Sequence, residues 1–203
     1  MKKVVLIDPC RFSRVGVEWL INSRMHLASK VALAQTSNLV VANAQIKLWQ
    51  PQLVIADLYS YVFETHNLKI LESLLATCIP SKLLVYLHSP SPWLSQYLLD
   101  RGAWKVITKK HNISQLEQLV SAALCNPMGS YSEHPLQPAP ALFSDREESI
   151  LNYWLEGWID QRIENTLDIN IKTVYTHKRN IRLKLGASNR LSLYLDLSTN
   201  QGV

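Results

Sequence analysis

The chain has 203 residues, 47% of them hydrophobic and 18% charged, with a formal net charge of +5. That balance fits a soluble globular protein of one large or two small domains and excludes a disordered or fibrous chain. No apolar run reaches the ~18 residues of a membrane helix, the run Val4–Ile7 is too short for a secretory core, and Cys10, Cys78 and Cys125 lack disulfide or metal spacing, so a reducing cytoplasm and no membrane are expected.

Lys3–Asp8 reads as a buried strand that ends in an acid, and Arg11–Arg24 as a helix with Val15, Trp19 and Ile21 among its apolar positions. Val31–Ala34 is a weak strand and Leu39–Trp49 a second helix. Leu53–Asp57 is again a strand ending in an acid. Leu68–Leu75 is helical, Lys82–Leu87 a strand, Trp93–Leu99 helical, Val106–Thr108 a short strand before Lys109, and Ile113–Leu124 a helix. Strands alternating with helices in this way predict a five-stranded parallel sheet with helices on both faces. Working groups in such sheets lie beyond the carboxyl ends of the strands, which is where Asp8, Asp57 and Lys109 fall.

Residues 126–141 hold four prolines and little apolar periodicity, and read as a linker between a domain 1–125 and a domain 142–203. The second domain reads as all helical. Ser144-Asp145-Arg146-Glu147 has the form of a capping box, Ile150, Leu151, Trp154 and Leu155 form an apolar stripe, and Gly157 ends that helix. A short helix Asp160–Leu167, a turn Asp168–Asn170 with Asn170 as N-cap, a helix Ile171–Leu185 and a last helix Leu191–Leu197 follow, four helices in all.

Charge is sorted along the chain. Residues 1–125 carry a net +6 and residues 142–203 a net zero, yet Lys172, Lys178, Arg179, Arg182, Lys184 and Arg190 occur without an intervening acid. Such a patch fits either a solvated helix face or a polyanion whose counterions are released on binding. At ~100° per residue, Val174, His177, Lys178, Ile181 and Leu185 fall on one side of Ile171–Leu185, and Lys172, Tyr175, Thr176, Arg179 and Leu183 on the other. Two short helices joined by a tight turn, the second bearing outward basic and polar groups, describe a helix-turn-helix. Lys172, Tyr175, Thr176 and Arg179 are then the candidates for base edges, and Thr173, Lys178, Arg182 and Lys184 for phosphates of double-stranded DNA.

Residues 143–190 resemble the C-terminal DNA-binding domain of LuxR-type (NarL/FixJ) regulators. The resemblance is carried by Arg146-Glu147, Glu156-Gly157, Lys172-Thr173-Val174-Tyr175-Thr176-His177, Asn180-Ile181 and Lys184-Leu185-Gly186. It implies base contacts by Tyr175, Thr176 and Arg179, while the helical wheel makes His177 structural. Two positions depart from the pattern: Ile159 stands at the usual small N-cap, so Asp160 is expected to cap instead, and Asp168 replaces the turn glycine.

Residues 1–125 resemble a response-regulator receiver, a flavodoxin-like fold, through Pro51–Leu58, Gly102-Ala103 with Lys109, and Asp8 with Arg14-Val15-Gly16. That resemblance makes Asp57 the possible phospho-acceptor and Asp8 and Lys109 the rest of the pocket. Receivers bind Mg²⁺ through a second acid beside the first, and here Pro9 takes that place. Leu87 stands at the switch hydroxyl and Val106 at the switch aromatic. A degenerate pocket that needs neither Mg²⁺ nor phosphate is therefore expected, no catalytic residues are assigned, and regulation by packing and dimerisation follows. The basic edge Arg101, Lys105, Lys109 and Lys110, with Trp93 and Trp104, is a candidate surface for an acidic partner, or else the tryptophans are core. Asp8-Pro9-Cys10 resembles the atypical auxiliary regulators of enterobacteria that pair with a phosphorylatable regulator, as in the Rcs phosphorelay. The expected function is thus a DNA-binding regulator acting as a homodimer or as a heterodimer with another response regulator. Its rivals are a conventional two-component regulator switched at Asp57 and a protein that sequesters another regulator without reading DNA.

Overall fold

A computed structural model describes residues 1–24, 30–58, 61, 65–110, 112–125 and 141–187. The expected linker and the helix Leu191–Leu197 lie outside them, apart from Ala141. The chain divides into two compact units, Met1–His88 with Leu98–Pro138, and Ser89–Tyr97 with Ala139–Val203.

The first unit is built on strands β1 (Lys2–Ile7), β2 (Val31–Thr36), β3 (Leu53–Asp57), β4 (Lys82–Leu87) and β5 (Ala103–Thr108). All pairs are parallel, in the order β2-β1-β3-β4-β5. Val4–Ile7 and Leu53–Ala56 have no exposed surface, as apolar runs covered on both faces require. Around the sheet run α1 (Arg11–Trp19), α2 (Leu39–Trp49), α3 (Thr65–Cys78) and α5 (Ile113–Cys125), while α4 (Pro92–Asp100), between β4 and β5 in the chain, falls mostly in the second unit.

The sequence predicts one continuous helix over Arg11–Arg24, but α1 ends at Trp19 and continues as a π-helical turn over Leu20–Arg24. Its inner face is Val17, with Leu20 and Ile21 of the π turn, while Val15 and Trp19 point to solvent. Asn38 caps α2 by accepting from the amides of Val40 and Val41, at 2.8 and 3.1 Å. Register decides where chemistry collects. Ile7 lies opposite Ala56, so Asp8 follows β1 at the edge where Asp57 ends β3. The Lys109 amide donates to the Leu87 carbonyl at 3.0 Å and brings that lysine to the same edge.

The second unit contains α6 (Asp145–Leu155), α7 (Asp160–Leu167) and α8 (Ile171–Leu185). Phe143, Ile150, Leu151, Trp154, Ile163, Val174, Ile181 and Leu185 form its buried interior. The capping box is complete: the Ser144 hydroxyl accepts from the Glu147 amide at 3.3 Å, and Glu147 Oε2 accepts from the Ser144 amide at 2.9 Å. Gly157 adopts φ +81° after α6.

Candidate nucleic-acid interface and receiver-like pocket

The turn between α7 and α8 is built from polar side chains that satisfy helix ends. Asp168 terminates α7 in the left-handed region, at φ 50° and ψ 52°, where glycine was the expected residue. Aspartate pays a small steric cost there that glycine avoids. Asn170 Oδ1 then accepts from the Lys172 amide at 2.9 Å, and Glu164 Oε1 from the Ile171 amide at 2.9 Å. Glu164 thus fixes the start of α8 from α7, a cross-helix cap that local sequence does not announce.

On α8 the wheel divides as expected. Val174, Lys178, Ile181 and Leu185 are buried and His177 is half-buried, while Lys172, Thr173, Tyr175, Thr176 and Arg179 are exposed. Thr176 donates its hydroxyl to the Lys172 carbonyl at 2.9 Å. Lys172, Arg179 and the half-buried Arg182 have no carboxylate partner among the described residues.

Two of the residues expected to contact phosphates have partners inside the domain. Lys178 is buried, pairs with Asp160 and lies over the Trp154 ring at 4.7 Å. Asp160 is accordingly a counter-ion rather than a cap, and the N-cap of α7 is Ile159, with no side-chain hydrogen bond. Lys184 Nζ binds Glu147 Oε2 at 2.6 Å and lies over the Phe143 ring at 5.9 Å. Burial works to raise the Glu147 carboxyl, but hydrogen bonds from Lys184 and Ser144 outweigh it and hold the group below its ordinary value. Both lysines are thus paired within the domain. The six-cation run reduces to Lys172, Arg179 and Arg182 as exposed or half-exposed unpaired cations, with Arg190 outside the described residues. Arg162 lies over Trp158 at 3.6 Å, and Trp158 stacks on Tyr153 with centroids 4.4 Å apart. Tyr153 comes from α6, Trp158 from the connection after it and Arg162 from α7.

In the first unit, Lys109 Nζ lies 2.6 Å from Asp57 Oδ2 and 3.1 Å from Asp8 Oδ2. Both carboxylates are buried. Burial lowers the affinity of Lys109 for its proton, yet Asp57 and then Asp8 outweigh that and raise it above the ordinary lysine value. Asp8 Oδ1 accepts from the Cys10 amide at 2.7 Å, and Arg14 donates to the carbonyls of Asp8 and Pro9. Mg²⁺ needs several hard oxygen donors in near-octahedral array. Here two carboxylates already share an ammonium, Pro9 supplies no donor side chain, and a guanidinium holds the loop carbonyls, so these residues do not fit the ion. Tyr86, opposite Asp57 across β3 and β4, buries a hydroxyl with no hydrogen-bond partner among the described residues. Burial, with the Asp8 charge added, pushes its ionisation up.

The expected basic edge is thinner than its sequence. Lys109 turns inward, and Arg101 approaches Glu72 at 4.0 Å. The tryptophans separate: Trp93 is 63% exposed, whereas Trp104 packs against the core with Lys82 over its ring at 5.4 Å.

Residues 3–128 match the family model described as transcriptional regulator RcsA, N-terminal dimerisation domain, and residues 141–196 match bacterial regulatory proteins, luxR family. EntR, a transcriptional regulatory protein of Citrobacter freundii, is 36% identical over 200 residues that cover 97% of this chain and 98% of its own. The chain belongs to the RcsA-type regulators of the luxR family. RcsA of Pantoea stewartii subsp. stewartii is 21% identical over 192 residues, 94% of this chain and 90% of that protein. A solved structure of RcsB from Salmonella enterica serovar Typhimurium, bound to promoter P1flhDC, covers 98% of both chains with a TM-score of 0.58 at 15% identity, and so shares the fold. Members of this family are transcription regulators, not enzymes. No helix among the described residues is long and apolar enough to cross a membrane.

Proposed function

We propose that this chain is a cytoplasmic, sequence-specific DNA-binding regulator. In this reading α8 enters the major groove of double-stranded DNA, and the receiver-like domain serves assembly without a phosphorylation switch. The observation that carries the DNA reading is the single exposed face of α8. Lys172, Tyr175, Thr176 and Arg179 stand together there, with a guanidinium free for guanine and methyl and ring groups for thymine. Thr173 and Arg182 flank that face and serve phosphates. One helix-turn-helix buries little surface, so tight binding requires a dimer on two half-sites. That dimer is made with a second copy or with another response regulator.

The test is selection of duplexes from a random pool, followed by anisotropy titrations on the enriched site. Arg179→Ala is expected to weaken that site by ~1–3 kcal/mol while leaving unrelated duplexes unchanged. A wild-type protein that enriches no sequence, or an Arg179→Ala variant with unchanged specific affinity, rejects base reading and favours sequestration of another regulator.

Independence from phosphorylation rests on the Asp8–Lys109–Asp57 arrangement. The protein incubated with Mg²⁺ and acetyl phosphate is expected to keep its intact mass, in conditions that label a conventional receiver. A phosphate adduct that disappears in Asp57→Ala restores the conventional switch.

A further inference from the structure

Main-chain bonds gather the starts of four strands at one edge of the sheet. The Lys2 amide donates to the Lys30 carbonyl at 3.0 Å, just before β2. Lys3 and Gln52 bond in both directions, the Lys3 amide to Gln52 Oε1 and the Gln52 amide to the Lys3 carbonyl. The Lys82 amide donates to the Gln52 carbonyl at 3.0 Å. Helix α2 ends at the same edge, where Lys47 lines a cleft with Gln50, Pro51 and Gln52. Lys2, Lys3, Lys30, Lys47 and Lys82 thus collect at the amino-terminal edge of the sheet. The Asp8–Lys109–Asp57 pocket lies at the opposite edge.

The described acids of this unit lie elsewhere. Asp8 and Asp57 share Lys109, Glu18 accepts from Gln35, and Glu72 faces Arg101. Asp100 precedes β5, the strand farthest from β2, and Glu117 lies in the first half of α5, which starts from the carboxyl edge. Lys30 and Lys47 are exposed and Lys2 is half-buried. None of these three has a carboxylate partner among the described residues.

Part of the charge has local work. Lys3 Nζ donates to the Trp49 carbonyl at 3.0 Å and Lys82 Nζ to the Ala123 carbonyl at 3.3 Å, each at the negative end of a helix. Lys47 lies in the last turn of α2 but makes no such bond. Lys2 and Lys30 have no helix end to serve. They are neighbours where β1 and β2 begin, and like charges so placed repel. An anionic partner relieves that repulsion.

The residue type selects the partner. Lysine is depleted from protein–protein interfaces, whereas protein–DNA interfaces are strongly positive. An ammonium is a point charge that meets a phosphate without the fixed geometry of a guanidinium fork. The starts of β2, β1, β3 and β4 span about 14 Å, at ~4.8 Å per strand gap. One DNA strand places a phosphate every ~3.4 Å along the helix axis, so several face a row of that length.

We propose that the amino-terminal edge of the receiver-like sheet is a second DNA surface, where Lys2, Lys30 and Lys47 bind the phosphate backbone of a duplex without reading its sequence. The proposal rests on the reading above only in taking duplex DNA as the ligand, and it adds a contact that α8 does not make.

The test is an anisotropy titration of the full chain against salt, on a duplex that lacks the selected site. Combining Lys2→Gln, Lys30→Gln and Lys47→Gln is expected to lower the slope of log K against log salt by ~2–3 and to weaken low-salt binding at least tenfold. Preference for the selected site over unrelated duplexes and the circular dichroism of the wild type are expected to survive. Combining Lys2→Arg, Lys30→Arg and Lys47→Arg should keep the wild-type slope, because the contact asks for charge alone. A first variant with the wild-type slope overturns the proposal, even where Arg179→Ala abolishes site preference. So does a second variant that loses as much as the first, or a loss confined to binding of phosphatidylglycerol vesicles. A wild type that prefers no sequence, but whose slope falls in the first variant alone, rejects base reading and upholds this edge.

Discussion

Lys109→Ala is expected to destabilise the sheet domain by about 3 kcal/mol at neutral pH, the usual cost of removing one partner from a buried charge cluster. The loss falls on the carboxylates. Asp8 and Asp57 side chains are 2% and 9% exposed, and both lie against one ammonium. Without it, two buried like charges face each other across the ends of β1 and β3. One of them then takes up a proton at higher pH than an ordinary aspartate, because burial and like charge both disfavour the second negative charge. The pH dependence has a definite sign. In the wild type the folded-state proton affinity of Lys109 is raised, so its contribution is fully present below ~10.4 and is lost only as pH rises through the folded value. In the variant a raised carboxyl favours the fold at low pH and loses that advantage as pH rises. The deficit is therefore expected to be largest near pH 8 and to shrink toward pH 5. Urea titrations at both values measure it, and Asp57→Asn added to Lys109→Ala should recover part of the loss. A variant as stable as wild type at pH 8 would mean that the lysine is dispensable to the fold.

The parts of this protein that can be read locally were legible. Apolar runs such as Val4–Ile7 and Leu53–Ala56 have no use except in a strand covered on both sides, and an acid or lysine just beyond each run marks the carboxyl edge. Ser144 with Glu147, Gly157 and Asn170 are capping signals whose partners lie within three residues. Helix α1 was less legible because both of its faces are apolar. Val17, with Leu20 and Ile21 beyond it, wins the core, and Phe12, Val15 and Trp19 are left outside. Periodicity identifies a stripe but does not choose between two.

The ion pairs on α8 are not legible locally. Lys178 and Lys184 belong to a run of like charges, and their neutralising acids are distant in sequence. Asp160 is 18 residues from Lys178, and Glu147 is 37 from Lys184. Helical geometry sets Lys178 on the buried side of α8 while its charge favours solvent. Long side chains resolve that conflict by burying their stems and finding a counter-ion. Glu164 is illegible for a similar reason, since it accepts from the amide of Ile171 in the next helix.

Lys178→Met separates the two roles of that lysine. Its ammonium is buried between Asp160 and the Trp154 ring. The substitution keeps the apolar stem and removes the charge, leaving the Asp160 carboxylate, 20% exposed, without its partner. The N-terminal end of α7 eases that charge but does not replace the lysine. A loss of about 2–3 kcal/mol in the stability of the helical domain is expected, at the lower edge for a broken buried pair. Adding Asp160→Asn should return most of it, because an uncharged, well-packed pair often matches a buried ion pair. The double variant is then folded and lacks the Lys178 charge, which makes it the right protein for a salt titration on DNA. A lysine that neutralises a phosphate contributes ~1 to the slope of log K against log salt. The double variant is expected to keep the wild-type slope, whereas Arg182→Ala should lower it by ~1. A slope reduced by as much in the double variant would return Lys178 to the DNA surface and show that its pairing with Asp160 opens on binding.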